Sequence, residues 1–210
     1  MKIGLILSAA ALCVAAVAVA AMPVQDAKAK AKPDDKMMGD KAAMDAAWTK
    51  AAELGPQHAE LKKMVGNWTT HVKDYGAGPD KPLESDGTTT YEMALGDRFL
   101  IEHSKGSMGG MPFEGLGILG YNNITGQYDS VWLDNMGTQI MVSHGTKGAD
   151  GAVTFKGDMD NPMGGGKMPV RFIVKHADDN HSHFEMYASM GGPEMKVLEM
   201  DSTRSGGASR

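Results

Sequence analysis

From residue 67 onward the chain alternates short β-prone segments with clusters of turn residues. Roughly ten such segments lie within residues 67–204, and each ends at Gly, Asn, Asp or Pro. The intervals between them are too short for a long helix. Since consecutive strands joined by tight turns pair antiparallel, the pattern predicts an all-β domain: a single up-and-down antiparallel barrel of about ten strands.

Alternation of apolar and polar positions, together with the turn residues, defines the predicted strands. Their predicted bounds are 67–75, 85–95, 98–107, 113–121, 127–134, 138–146, 152–158, 168–176, 183–190 and 194–204. Two short helical segments are predicted ahead of them, at 41–54 and 57–65, and the first ends at the stop signal Gly55-Pro56. We expect this first helix to pack across one mouth of the barrel.

Alternation also groups the side chains that share one face of a strand, and we assign these groups to the interior. Most of the predicted lining is apolar, with two histidines as orienting polar groups. The predicted ligand-binding residues are Tyr91, Phe99, Ile101, His103, Trp132, Ile140, Val142, His144, Phe172, Phe184 and Met186. Small inner-face residues such as Gly115 and Gly117 predict a pocket bounded by Phe99, His103, Trp132, His144 and Met186.

The N-terminus has the features of a secretory signal peptide at residues 1–21. Lys2 precedes an apolar run over residues 3–20, and the small residues Ala18 and Ala20 provide a cleavage site near Ala20 or Ala21. We expect a periplasmic or secreted protein, with a transmembrane anchor as the alternative. The single cysteine, Cys13, would leave with the signal, so we expect neither a disulfide nor a thiol nucleophile in the mature chain.

The segment between signal and barrel is rich in Lys, Ala, Asp and Met. Residues 22–56 are therefore predicted to form a flexible tether that carries the short helix, with the part through Asp40 disordered. Residues 57–205 are predicted to form the barrel domain.

Charge and motifs narrow the classes of function. The net charge is −5 and no basic stripe is present, which argues against nucleic-acid binding and against stable membrane association after signal cleavage. The sequence contains no G-x-S-x-G, phosphate-binding glycine loop or H-E-x-x-H motif, so a binding protein is predicted rather than an enzyme. We predict a monomer with no resident cofactor.

Methionine is unusually abundant, with 18 residues among 210. Methionine fills irregular apolar pockets, but its thioether is also a soft ligand that suits Cu(I). The candidate metal ligands are Met108, Met111, Met159, Met163 and Met168. The leading hypothesis is a binding protein for a small, largely apolar molecule. One alternative is a periplasmic metal or haem protein, with methionine-ligated copper or haem held by an inward histidine; another is a structural or interaction domain whose barrel is filled by its own side chains.

Trp68 lies at the start of the first predicted strand and Arg204 ends the last one, and this pairing resembles the one found in calycin barrels. In that group a first-strand Trp packs under a last-strand Arg at the closed end, and here Trp68 and Arg204 occupy the matching positions. Residues 64–204 are more specifically similar to the bacterial domain-of-unknown-function family 1579 (DUF1579). The segments that carry this resemblance are 64–68, 95–100, 113–121, 132–138 and 184–187. The resemblance implies a calycin-like barrel, a structural role for Trp68 and Arg204, and no known activity. Because residues 76–84 are too few for a helix-turn-helix lid, the chain looks closer to nitrobindins than to fatty-acid-binding proteins.

Overall fold

A computed structural model describes residues 35–189 and 191–206. Two helices, α1 (Asp35–Ala51) and α2 (Pro56–Lys62), precede the sheet. Helix α1 begins earlier than predicted and includes residues 35–40, for which disorder was expected; its alanine-rich sequence has high helix propensity. The predicted signal peptide and the start of the predicted tether lie outside the described residues. Among the described helices, none has the length and apolar character needed to cross a membrane.

Ten antiparallel strands close into a barrel, which confirms the predicted fold class. The strands are β1 (Gly66–Asp74), β2 (Leu83–Ala94), β3 (Phe99–Met108), β4 (Met111–Asn122), β5 (Gln127–Asp134), β6 (Met141–Lys147), β7 (Val153–Asp160), β8 (Lys167–His176), β9 (His181–Ala188) and β10 (Met195–Arg204). Each strand pairs with its neighbour in sequence, and β1 pairs with β10 to complete the barrel. Closure leaves the sheet without an unpaired edge.

This up-and-down order gives the barrel two different ends. At one end lie α2, the starts of the odd-numbered strands and the turns that follow the even-numbered strands. We call this the closed end. The opposite end, which we call the open end, carries four connections at residues 75–82, 109–110, 135–140 and 161–166, and the described residues 189 and 191–194 of the fifth.

The closed end is sealed by Trp68, Arg204 and α2. Trp68 is only 2% exposed, and its indole nitrogen donates to the Met64 carbonyl at 2.8 Å. The Arg204 guanidinium lies 4.4 Å from the Trp68 ring centre and donates to three backbone carbonyls, which include those of Val65 and Lys63 at 2.6 Å. Leu61 of α2 is also buried. The helix whose apolar residues seal a mouth is therefore α2, whereas α1, which was expected to do so, leaves Trp48 exposed.

The apolar core is concentrated along β5 to β9 and also includes Leu100 of β3 and Leu61 of α2. It contains Tyr128, Phe155 and Phe172, with the Phe155 and Phe172 rings stacked at 4.7 Å between centres. Phe184 and Met186 pack against it from β9. The core side chains come from alternate residues of each strand, as the pleat of a sheet requires.

Two strands present the opposite face from the one predicted. In β3 the inner face carries Leu100, Glu102 and Ser104, so Phe99, Ile101 and His103 lie on the outside. In β6 the inner residues are Met141 and Ser143. Val142 is consequently 49% exposed and Ile140, just before the strand, is 63% exposed.

Candidate functional site

A polar cluster lies inside the barrel where β2 meets β3. Thr89, Tyr91, Glu102 and Ser104 all project from the inner face, with Thr89 opposite Ser104 and Tyr91 opposite Glu102. The Ser104 hydroxyl donates to Glu102 Oε1 at 2.8 Å. Thr89 Oγ1 lies 2.8 Å from Ser104 Oγ, and since the Ser104 proton is directed to Glu102, Thr89 is the donor of this second bond. The two hydroxyls therefore orient one carboxyl oxygen of Glu102.

The Glu102 carboxyl is an acid in an interior setting. Burial raises its pKa, while hydrogen bonds from Ser104 and Tyr91 act in the opposite direction. Burial and the neighbouring Glu102 charge together raise the pKa of the Tyr91 hydroxyl well above its usual range. No basic side chain of the described residues forms a salt bridge with Glu102. Glu102 as a residue nevertheless keeps part of its surface accessible.

Beside this cluster, Trp132 lies flat against the backbone of β4. A Cβ atom added at Gly115 would be 2.4 Å from Cζ2 of Trp132, and one at Gly117 would be 3.1 Å from Glu102 Oε2. A Cβ at Gly115 would overlap the indole, and a Cβ at Gly117 would be a tight contact that requires the Glu102 side chain to shift slightly. Phe113 stacks on Trp132 with ring centres 6.3 Å apart, and the indole nitrogen donates to Asp134 at 2.9 Å. An aromatic surface thus adjoins the carboxyl group.

A cleft opens at the end of the barrel above the polar cluster. Its volume is about 360 Å³, within the range of about 300 to 1,000 Å³ that is typical of small-molecule sites. Its walls come from the last residues of β1, the first of β2 and the β3–β4 turn, and include Val72, Ser85 and Met108. Below it, β2 and β3 contribute Gly87 and Gly106 to the inner face, where the two backbones approach closely. No side chain therefore projects from these two positions between the cleft and Ser104.

Five of the predicted ligand-binding residues lie inside the barrel, and six do not. Tyr91, Trp132, Phe172, Phe184 and Met186 contribute to or pack against the apolar core. The prediction that the remaining six face the interior was wrong. These six residues are Phe99, Ile101, His103, Ile140, Val142 and His144. Three of them, Phe99, His103 and His144, were expected to bound the pocket together with Trp132 and Met186, so the pocket as predicted does not form.

Outside the barrel, the two histidines pair with acidic side chains. His144 Nδ1 lies 2.8 Å from Asp129, and His103 Nε2 lies 3.9 Å from Glu92. Both side chains are more than half exposed. Neither His103 nor His144 can therefore ligate a haem inside the barrel, as the haem hypothesis required.

The candidate methionine ligands separate into two groups. Met108 and Met111 face each other across the β3–β4 turn, and Met163 is 91% exposed. Met159 and Met168 instead form a cross-strand pair and pack against the core. Within the described residues, no three His, Cys, Asp or Glu side chains are grouped so as to hold a metal ion.

The residues that sequence reasoning missed are Thr89, Glu102 and Ser104. The available signal was Gly115 and Gly117, because two glycines on one face of a strand leave space that neighbouring strands must occupy. Glu102 and Trp132 are the residues that occupy it.

Comparisons with known proteins agree with this architecture. The structure is similar to that of Rv2717c from M. tuberculosis, at 17% identity and a TM-score of 0.50, over 73% of this chain and 99% of that one. It is also similar to the S-type phycobiliprotein lyase CPES from Guillardia theta, at 11% identity and a TM-score of 0.54, over 72% of this chain and 94% of that one. Such low identities show a shared fold alone.

Comparison with curated protein sequences gives no significant match. Residues 53–204 match the family described as "Protein of unknown function (DUF1579)". This match spans α2 and all ten strands of the barrel. The chain therefore belongs to the DUF1579 family, and its fold is the ten-stranded antiparallel barrel that the resemblance implied.

Proposed function

We propose that the barrel binds a small molecule that has a largely apolar body and one hydrogen-bond donor or positive charge. The observation that carries this proposal is the Glu102 carboxyl, which projects into the interior without a basic partner among the described residues. Perturbed carboxyl groups in concave sites are frequent at functional positions. A ligand amine would supply the missing counter-charge.

Different groups around Glu102 would contact different parts of the ligand. Ser104 donates to Oε1 and Tyr91 also donates to the carboxyl, but a carboxylate has about four lone-pair sites, so it can still accept a hydrogen bond from a ligand donor. Trp132 and the aromatic side chains of the core offer apolar and π surfaces to the ligand body. A cationic ligand head would also be attracted by the face of the indole.

Entry would occur through the cleft at the open end. That cleft is lined partly by Gly109 and Gly110, where no atom lies within 4 Å of an added Cβ. At the closed end, Trp68, Arg204 and α2 occupy the mouth of the barrel. The ligand would thus pass Val72 and Met108 on its way to Glu102.

The test uses n-octylamine, n-octanol and n-octanoate as probes that share one apolar chain and differ in head group. In isothermal titration calorimetry the amine should bind most tightly, the alcohol less tightly and the carboxylate least. Glu102→Gln should weaken octylamine by about tenfold or more, because hydrogen bonds to charged groups are worth about 1.5–3 kcal/mol. It should leave octanol nearly unchanged.

Glu92→Gln is the matched control, since Glu92 lies on the adjacent strand but is exposed on the outer face. Octylamine should bind this variant as it binds the wild type. Equal binding of octanoate and octylamine to the wild type, or equal losses in the two variants, would overturn the proposal.

We further propose that the protein acts outside the cytoplasm, as a periplasmic or secreted monomer. The support is the sequence of residues 1–21, with its basic start, apolar run and small residues before Ala21. N-terminal sequencing of protein from the periplasmic fraction should begin near Ala21 or Met22. An intact N-terminus in the membrane fraction would instead indicate an anchor.

A further inference from the structure

Three methionines lie side by side on the inner face of neighbouring strands near the open end. Met159 of β7 pairs directly with Met168 of β8. Between β6 and β7, Ser143 pairs with Gly157, and continuing this register by one inner-face position places Met141 opposite Met159. All three belong to the core or pack against it, so their side chains project inward. We call Met141, Met159 and Met168 the methionine row.

The strand pairing holds the row together. Directly opposed residues of an antiparallel pair have Cβ atoms about 4.5–5.5 Å apart. With three rotatable bonds each, the side chains can turn their sulfur atoms towards a common point. The amide of Asp160 donates to Gln139 Oε1 at 2.8 Å, which ties the residues before β6 to the end of β7 and keeps Met141 beside Met159.

The surroundings of the row favour a soft cation. Trp132 pairs with Met141 and therefore extends the row by an aromatic ring. Thioether sulfur binds Cu(I) and disfavours hard cations, and an indole face attracts a positive charge. Met159 and Met168 are partly accessible, and the β7–β8 connection beside them contains Gly164, Gly165 and Gly166, so an ion can reach the sulfur atoms from the open end.

We infer that the methionine row is a binding site for one Cu(I) ion, coordinated by the thioethers of Met141, Met159 and Met168 and flanked by Trp132. The site differs from the candidates predicted from sequence, since it adds Met141 and excludes Met108, Met111 and Met163. The site does not use Glu102, but it shares Trp132 with the proposed ligand site.

The first experiment uses the whole protein labelled with ¹³C at the methionine methyl groups. Ag(I), which is an air-stable soft monovalent cation, should shift three methyl resonances, those of the row, and saturate at one equivalent. It should also quench the fluorescence of Trp132, a signal that Trp132→Phe should remove. Shifts confined to other methionines, or no shifts at all, would overturn the inference. This experiment uses the wild-type row, so its result does not depend on the folding of a variant.

The second experiment measures Cu(I) affinity by competition with a chromogenic chelator under reducing conditions. Met159→Leu and Met168→Leu keep the volume of the side chain and should each weaken Cu(I) binding by at least about tenfold, because loss of even an outer-shell partner of a metal ligand typically costs about 10–100-fold in affinity. Met163→Leu, at an exposed position in the adjacent connection, is the matched control and should bind as the wild type does. The row would only fill the core if its folded variants bound Cu(I) with wild-type affinity. An equal loss of Cu(I) affinity in Met163→Leu would lead to the same conclusion.

Discussion

Replacement of Trp68 by alanine should be among the most destabilising single changes in the barrel. Its indole is 2% exposed, and its ring nitrogen donates to the Met64 carbonyl at 2.8 Å. The Arg204 guanidinium covers the ring at 4.4 Å. Truncation removes three contributions at once: apolar burial, a buried hydrogen bond and a cation–π contact.

The expected loss follows from these contributions. Truncation of a buried Trp or Phe to Ala costs about 3–5 kcal/mol. The Met64 carbonyl loses its partner, and an exposed cation–π contact adds about 0.5–1 kcal/mol, so we expect the upper part of that range. For a domain of this size about 1 kcal/mol corresponds to roughly 2–4 °C, and the melting temperature should fall by about 10–15 °C.

Urea unfolding followed by far-UV circular dichroism measures the loss directly. Trp48→Ala is the matched control, because Trp48 of α1 is exposed and its removal should change stability by less than about 0.5 kcal/mol. A loss below about 1 kcal/mol for Trp68→Ala, with unchanged dependence on urea, would refute the view that this residue seals the closed end.

A double-mutant cycle separates the stack from simple burial. Trp68→Leu and Arg204→Met each remove one partner, and their coupling should be about 0.5–2 kcal/mol. Arg204→Met also removes donors to three backbone carbonyls. Zero coupling would mean that these carbonyl bonds, and not the ring, hold Arg204 in place.

Three other changes test the turn, the glycine contacts and the interior acid. Leu95 is 75% exposed and has φ 52°, a left-handed conformation that is unfavourable for a residue with a Cβ. Leu95→Gly should therefore stabilise the protein by about 1 kcal/mol, measured by urea unfolding. A lower stability of the variant would show that the turn is not strained. Gly115→Ala should cost about 1–3 kcal/mol and shift Trp132 emission, since the new Cβ overlaps the indole; an unchanged spectrum would contradict this packing. Because burial raises the Glu102 pKa, the stabilisation from this group is complete below its unfolded pKa and is lost as pH rises. The free energy of unfolding of Glu102→Gln should therefore equal that of the wild type near pH 4. Towards pH 8 the variant should become the more stable protein, by about 1.4 kcal/mol per unit of pKa elevation. The same pH dependence of unfolding in both proteins would refute this.

The strand positions could be predicted from sequence because turn residues mark them locally. Strand β5 has the bounds predicted for it, 127–134, and β10 ends at Arg204 as expected. Alternation shows which residues share a face, but it does not show which face is inside. In β3 the more apolar face was taken as the inner one, and the structure places it outside.

The physical reason is a cross-strand row on the outer surface. Ile101 pairs with Ile118, Ile118 with Val131, and Val131 with Val142. Opposed β-branched side chains stabilise a sheet on either face. Apolar character in these strands therefore reports strand pairing as well as burial, and it hid the polar inner face that carries Glu102.

The two ends of the barrel have different physical demands, which explains why binding is expected at only one of them. The closed end concentrates buried contacts and charge-assisted bonds, such as those of Arg204. The connections at the open end instead contain glycines with no atom within 4 Å of an added Cβ; they include Gly109, Gly164 and Gly191. Segments with few packed neighbours open at low free-energy cost, whereas a sealed end keeps the inner-face residues in position. Substitutions at the closed end should consequently act on stability, and those around the open end on binding.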